Sequence, residues 1–132
     1  MPDVTASIDI DAPPEVVFAH LVTPEGMVAW LGQHAEVDPA PGGTLAVDIS
    51  GTPVRGEYVE VDPPRTVVVT WGVAGNEVLP AGSSRVEFRL TPTAGGTRLD
   101  LTHAGLPEIE QARHAEGWAA CLAQLAGAAR AA

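Results

Sequence analysis

The sequence contains no lysine. Its seven basic residues are all arginine and stand against seventeen aspartates and glutamates, for a formal charge of −10. A chain this acidic, with no basic cluster, repels phosphate backbones, so nucleic acid is not an expected partner. An anionic membrane surface is disfavoured for the same reason. The acidity is read as solubility rather than as an interaction surface. There is one cysteine, Cys121, which excludes an intrachain disulfide. No apolar run approaches the ~20 residues needed to cross a bilayer, so no membrane insertion is expected. Met1-Pro2-Asp3-Val4-Thr5 lacks the basic start and apolar stretch of an export signal, and the expected address is the cytoplasm. The glycines form no phosphate-binding fingerprint: Pro41-Gly42-Gly43 and Ala94-Gly95-Gly96 read as turns, and no cofactor is expected.

What is present is a globular balance, with 45% apolar and 18% charged residues over 132 positions. Such a length supports a core without metal or disulfide. With no repeat or composition shift, residues 1–132 are expected to form one domain, fraying at Ala128 to Ala132.

Thr5 to Asp11 alternates, with Ala6, Ile8 and Ile10 on one face, as in a half-buried strand. Asp11 stands where a helix N-cap would, before Pro13 and Pro14, and Val17, Phe18 and Leu21 give the short helix its apolar side. Thr23-Pro24 repeats the signal for a second short helix carrying Met27, Trp30 and Leu31. Gln33 to Pro41 reads as irregular chain or a short strand. Leu45, Val47 and Ile49 mark a strand, Gly51-Thr52-Pro53 a turn, and Val54 to Val61 the returning strand. Asp62-Pro63-Pro64 precedes a strand over Thr66 to Trp71, and Val73 to Gly82 reads as a mobile loop. Val86, Phe88 and Leu90, then Leu99, Leu101 and His103, mark two longer strands. Short turns between successive strands predict an antiparallel meander. From Glu108 to Ala129 a helical period puts His114, Ala115, Trp118, Cys121, Leu122, Leu125 and Ala129 on one stripe, with Arg113, Glu116, Gln124 and Gly127 opposite.

The predicted architecture is α+β: a curved antiparallel sheet of six to seven strands around a long C-terminal helix, with two short helices after the first strand. This order resembles the helix-grip fold of the START and birch-pollen-allergen-like superfamily, often called SRPBCC. Within it, the chain resembles the activator of heat-shock protein 90 ATPase homologue-like family. The segments that carry the resemblance are Ile8 to Phe18, Trp30-Leu31, Gly56 to Arg65 with Trp71, Gly96 to Leu106, and His114 to Trp118. The resemblance implies a structural scaffold whose members bind lipids, hormones, polyketides or co-chaperone partners, and it does not choose among them.

A concave sheet and a straight helix close imperfectly, so an apolar cavity is expected between them. Its expected lining is Phe18, Trp30, Trp71, Phe88, Leu101, His103, His114, Trp118, Cys121, Leu122 and Leu125. The expected partner is a small apolar or aromatic molecule held between Trp30, Trp71 and Trp118, with the Val73 to Gly82 loop over the mouth. His103 and His114 could bond a ligand hydroxyl or carbonyl, or move a proton as in a polyketide cyclase or dehydratase. Each could equally anchor the structure, and no catalytic residue is assigned. A chaperone-associated module is the third reading. His34 and Glu36 share a strand face, but a metal site wants three or four ligands, so no metal is expected. Cys121 lies among apolar neighbours without an adjacent base and reads as an unreactive thiol. Gly117 costs helix stability, which implies close approach of the helix to the sheet or to a ligand. A homodimer through a sheet edge is left open.

Overall fold

A computed structural model describes residues 3–132. Strand β1 (Val4–Ile10) is followed by helices α1 (Pro14–Val22) and α2 (Pro24–Trp30). Strands β2 (His34–Val37), β3 (Thr44–Ile49), β4 (Thr52–Asp62), β5 (Thr66–Trp71), β6 (Ser84–Thr93) and β7 (Gly96–Ala104) come next, and helix α3 (Glu108–Ala131) ends the chain. The seven strands form one antiparallel sheet in the order β1-β7-β6-β5-β4-β3-β2. This is the α+β helix-grip arrangement expected from the pattern of elements.

Alternation along the strands explains the single core. Val86, Phe88 and Leu90 on β6 and Leu99, Leu101 and His103 on β7 are all buried, while the residues between them are exposed or half-buried. Register shifts between Tyr58 and Glu60 interrupt the β4–β5 ladder, the kind of irregularity that bends a sheet. The two short helices are tied to their surroundings by buried side-chain bonds to main-chain carbonyls. Trp30 Nε1 donates to His20 O at 2.9 Å, Tyr58 Oη to Leu21 O at 2.8 Å, and Thr97 Oγ1 to Ala12 O at 2.7 Å. Each satisfies a carbonyl at a helix end or junction that burial would otherwise leave unpaired.

Local expectations were met at Thr23, whose Oγ1 accepts from Gly26 N at 3.0 Å and so caps α2. Asp11 does not cap α1. The N-cap is Pro13, and no side chain bonds the free N–H groups there. The hairpin after β3 turns at Ser50-Gly51 rather than at Gly51-Thr52-Pro53. Both residues have positive φ (50° and 85°), the geometry of the two-residue turn whose twist matches its strands, and Thr52 already pairs with Ile49. The Val73 to Gly82 segment is held by its own bonds. Val73 N donates to Leu79 O at 2.8 Å, Asn76 Oδ1 accepts from the N–H groups of Val78 and Leu79, and the Leu79 side chain is buried. Ala115 is exposed on α3, leaving Trp118, Leu122, Leu125 and Ala129 as the buried stripe.

Candidate functional site

Helix α3 carries two stripes side by side. The buried one packs on the sheet. The second, about 90° round the helix at 100° per residue, runs through Glu110, Arg113, His114, Gly117 and Cys121, with Trp118 on the border. This second stripe forms one wall of a cleft of about 490 Å³, open to solvent on one side. The opposite wall comes from the β3–β4 hairpin, through Ile49, Gly51, Thr52, Pro53 and Val54. Leu31 after α2, and Val73, Asn76 and Leu79 from the loop after β5, complete the lining. Trp71 and Trp118 form the floor, their ring centroids 5.0 Å apart and tilted by 52°. The volume falls within the range of small-molecule sites, and the lining is mostly apolar with a few polar groups grouped on α3.

The floor is positioned by a buried relay. Trp118 Nε1 can only donate, and it donates to His103 Nδ1 at 2.9 Å. The His103 proton therefore sits on Nε2, which donates to Ser84 Oγ at 2.8 Å, and Ser84 Oγ donates to Trp71 O at 2.7 Å. One chain of bonds thus links α3, β7, β6 and β5, with both imidazole nitrogens engaged. Burial, and secondarily the nearby His114, push the His103 pKa down to about 3. His103 is fully buried and does not reach the cleft mouth. Its role in the relay is to hold the Trp118 indole against Trp71 and Phe88.

Of the residues expected to line a cavity, Trp71, His114, Trp118 and Cys121 line this cleft. Phe18, Trp30, Phe88, Leu101, Leu122 and Leu125 lie in the packed core and contribute no wall, as does His103. Trp30 meets Phe88 edge to face at 6.3 Å, and Phe88 meets Trp118 the same way at 5.9 Å, so the aromatic set is largely a core cluster. Gly117 does not sit under the sheet: a Cβ placed there would meet nothing within 4 Å. Cys121 is half-buried, and burial pushes its thiol up, so the uncharged form prevails at neutral pH. His34 and Glu36 lie 3.9 Å apart on exposed side chains of β2, and among the described residues no group of three such ligands occurs.

The hairpin and loop walls were missed because their residues read as ordinary turn and strand positions. The polar half of the α3 wall had a signal. Glu110, Arg113, His114, Gly117 and Cys121 recur at three- and four-residue spacing, interrupting an otherwise alanine-rich surface. Among the described residues, no helix is long and apolar enough to cross a membrane.

A family model, Activator of Hsp90 ATPase homolog 1-like protein, matches residues 11–130. No curated protein matches the sequence. An AHSA1-like protein from Rhizobium etli, solved by NMR, is 42% identical with a TM-score of 0.76, over 98% of this chain and 82% of that one. A protein from Mesorhizobium loti is 26% identical with a TM-score of 0.86, over 96% of each chain. Aha1 from Colwellia psychrerythraea, solved as a dimer, is 25% identical with a TM-score of 0.85, over 98% of this chain and 97% of that one.

Proposed function

This chain belongs to the activator of Hsp90 ATPase homolog 1-like family, and we propose that it binds a small apolar or aromatic molecule in the cleft between α3 and the β3–β4 hairpin. The observation that carries this reading is the contrast between core and cleft. The interior beneath the sheet is filled by side chains such as Phe88, Leu101, Leu122 and Leu125, all at most 2% exposed. Beside it, about 490 Å³ stays open although two tryptophans and several aliphatic side chains line it. Empty apolar surface of that kind is unfavourable unless something occupies it, at roughly 25 cal/mol per Å² of apolar surface left in water. Gly117 supports the reading, because a Cβ added there would meet nothing within 4 Å, so this part of the wall borders open space.

A binding role is preferred to a catalytic one. His103 has no free nitrogen, the cleft's thiol is held uncharged, and His114, the imidazole that does line the cleft, has no nucleophile hydrogen-bonded to it among the described residues. The chaperone association that the family name suggests draws on no feature of this cleft.

The test is titration of the protein with a neutral fluorescent aromatic, N-phenyl-1-naphthylamine, reading probe enhancement and tryptophan quenching. Saturable binding in the micromolar range that Gly117→Phe abolishes, with the circular dichroism spectrum kept, supports the cleft as the site. Binding undiminished in Gly117→Phe, or no binding up to the solubility limit of the probe, refutes it.

A further inference from the structure

The polar atoms on the α3 wall differ in what they have left to offer. Glu110 pairs with Arg113, whose Nη2 lies 2.6 and 2.9 Å from the two carboxylate oxygens, and Glu110 Oε1 also lies 3.6 Å from His114 Nδ1. That pair cancels the charge of both partners at the mouth. Asn76, across the cleft, uses its Oδ1 to accept from two main-chain N–H groups of its own loop. His114 is different. Its Nδ1 lies 3.0 Å from Glu110 O, a carbonyl that can only accept, so Nδ1 carries a proton, and the uncharged tautomer of that ring has its lone pair at Nε2. Nε2 has no hydrogen-bond partner among the described residues and is not among their fully buried unpaired atoms, so it keeps contact with solvent on a residue that lines the cleft. Behind it, the His103 ring sits edge-on at 5.3 Å with both nitrogens engaged and competes for nothing.

We infer that His114 is a specificity-determining residue: its Nε2 accepts a hydrogen bond from a hydroxyl on an uncharged aromatic ligand lying along Trp71 and Trp118. The inference rests on the reading of the cleft as a ligand site and names the ligand class. A neutral acceptor beside a flat apolar floor selects a ring bearing a donor. An anionic ligand is opposed by the overall charge of −10 and by Glu110, which already neutralises Arg113. A ring whose oxygen is alkylated brings no donor and leaves Nε2 unpaired when the ligand displaces water, which is how a polar site discriminates between close analogues.

The experiment compares 2-naphthol, 2-methoxynaphthalene and 2-naphthoate, each displacing N-phenyl-1-naphthylamine at neutral pH. The wild-type protein is expected to bind 2-naphthol roughly five- to tenfold more tightly than the methyl ether, the range of one neutral hydrogen bond, and more tightly than the carboxylate. In His114→Leu the preference for 2-naphthol over the ether disappears while affinity for the ether is kept. His114→Gln, which restores an acceptor, recovers part of the preference. Equal binding of naphthol and ether by wild type, or a preference that survives His114→Leu, overturns the role of His114 while leaving the cleft as a binding site. Tightest binding of 2-naphthoate overturns the uncharged class and points to Arg113. Failure of all three compounds and of the probe to bind removes the binding-site reading and this inference with it.

Discussion

Gly117 offers the sharpest test of the physical picture, because stability and function should respond in opposite directions. Glycine inside a helix costs about 0.8–1 kcal/mol relative to alanine. At most buried helix positions a new methyl group would meet neighbours and offset that gain. Here the built Cβ meets nothing within 4 Å, so Gly117→Ala is expected to show nearly the whole propensity gain, about 0.8 kcal/mol. With a denaturant slope of about 2 kcal/mol/M, that moves the urea midpoint up by roughly 0.4 M, and the melting temperature up by about 3 °C. Gly117→Phe keeps much of the gain but places a ring in the cleft against Trp118 and the hairpin wall. Its fold should survive within about 1 kcal/mol while ligand binding is lost. Equilibrium urea unfolding followed by tryptophan fluorescence measures both variants, with probe titration alongside. Destabilisation of Gly117→Ala by more than 1 kcal/mol would refute the reasoning, since it would mean that some part of the protein approaches the helix backbone closely at that point.

Further outcomes follow from the buried polar groups. His103 titrates at about 3 when folded, against 6.5 for its ordinary value, because burial disfavours the cation. The unfolded chain therefore takes up this proton first, and the contribution of neutral His103 is complete above about pH 6.5. It falls by about 1.4 kcal/mol per pH unit as pH drops toward 3. The difference in urea stability between wild type and His103→Gln, measured from pH 8 to pH 4, should shrink along that slope, and a pH-independent difference would contradict it. At neutral pH, His103→Leu leaves the Trp118 N–H and the Ser84 hydroxyl short of partners and should cost roughly 2–4 kcal/mol by the same assay. Tyr58→Phe removes the phenol that donates to Leu21 O in a buried site and should cost about 1–2 kcal/mol without affecting probe affinity. Cys121, held uncharged by burial, should react with iodoacetamide at pH 7.5 more slowly than free cysteine, and more slowly still with the cleft occupied by probe. A rate equal to that of free thiol would contradict the rise in its pKa by burial.

The fold was legible because its determinants are local and periodic. Period-two alternation in Val86 to Leu90 and Leu99 to His103 located two inner strands, and a proline after Thr23 located the start of α2. The misplaced details have local causes. Asp11 carries a capping side chain, but helix α1 begins three residues later, after Pro13. Serine at positive φ is uncommon, so Ser50 gave no sign that the turn would take it together with Gly51.

The site was less legible than the fold. Apolarity predicts burial, but it does not say whether a buried side chain faces other side chains or an open space. Trp30 and Trp118 read alike in sequence. Only packing makes Trp30 a core residue bonded to His20 O and Trp118 a wall held by His103. His103 and His114 read alike too, each one turn or one strand position from an apolar neighbour. Composition, charge and periodicity by themselves determined an acidic α+β chain with a curved meander and an amphipathic terminal helix. Tertiary structure decided how the expected stripe divides: Trp118, Leu122, Leu125 and Ala129 are buried, whereas His114 and Cys121 line the cleft. The buried stripe packs on the sheet, with Trp118 against Trp71, Phe88 and His103, whereas the stripe through Gly117 lines the cleft together with the β3–β4 hairpin.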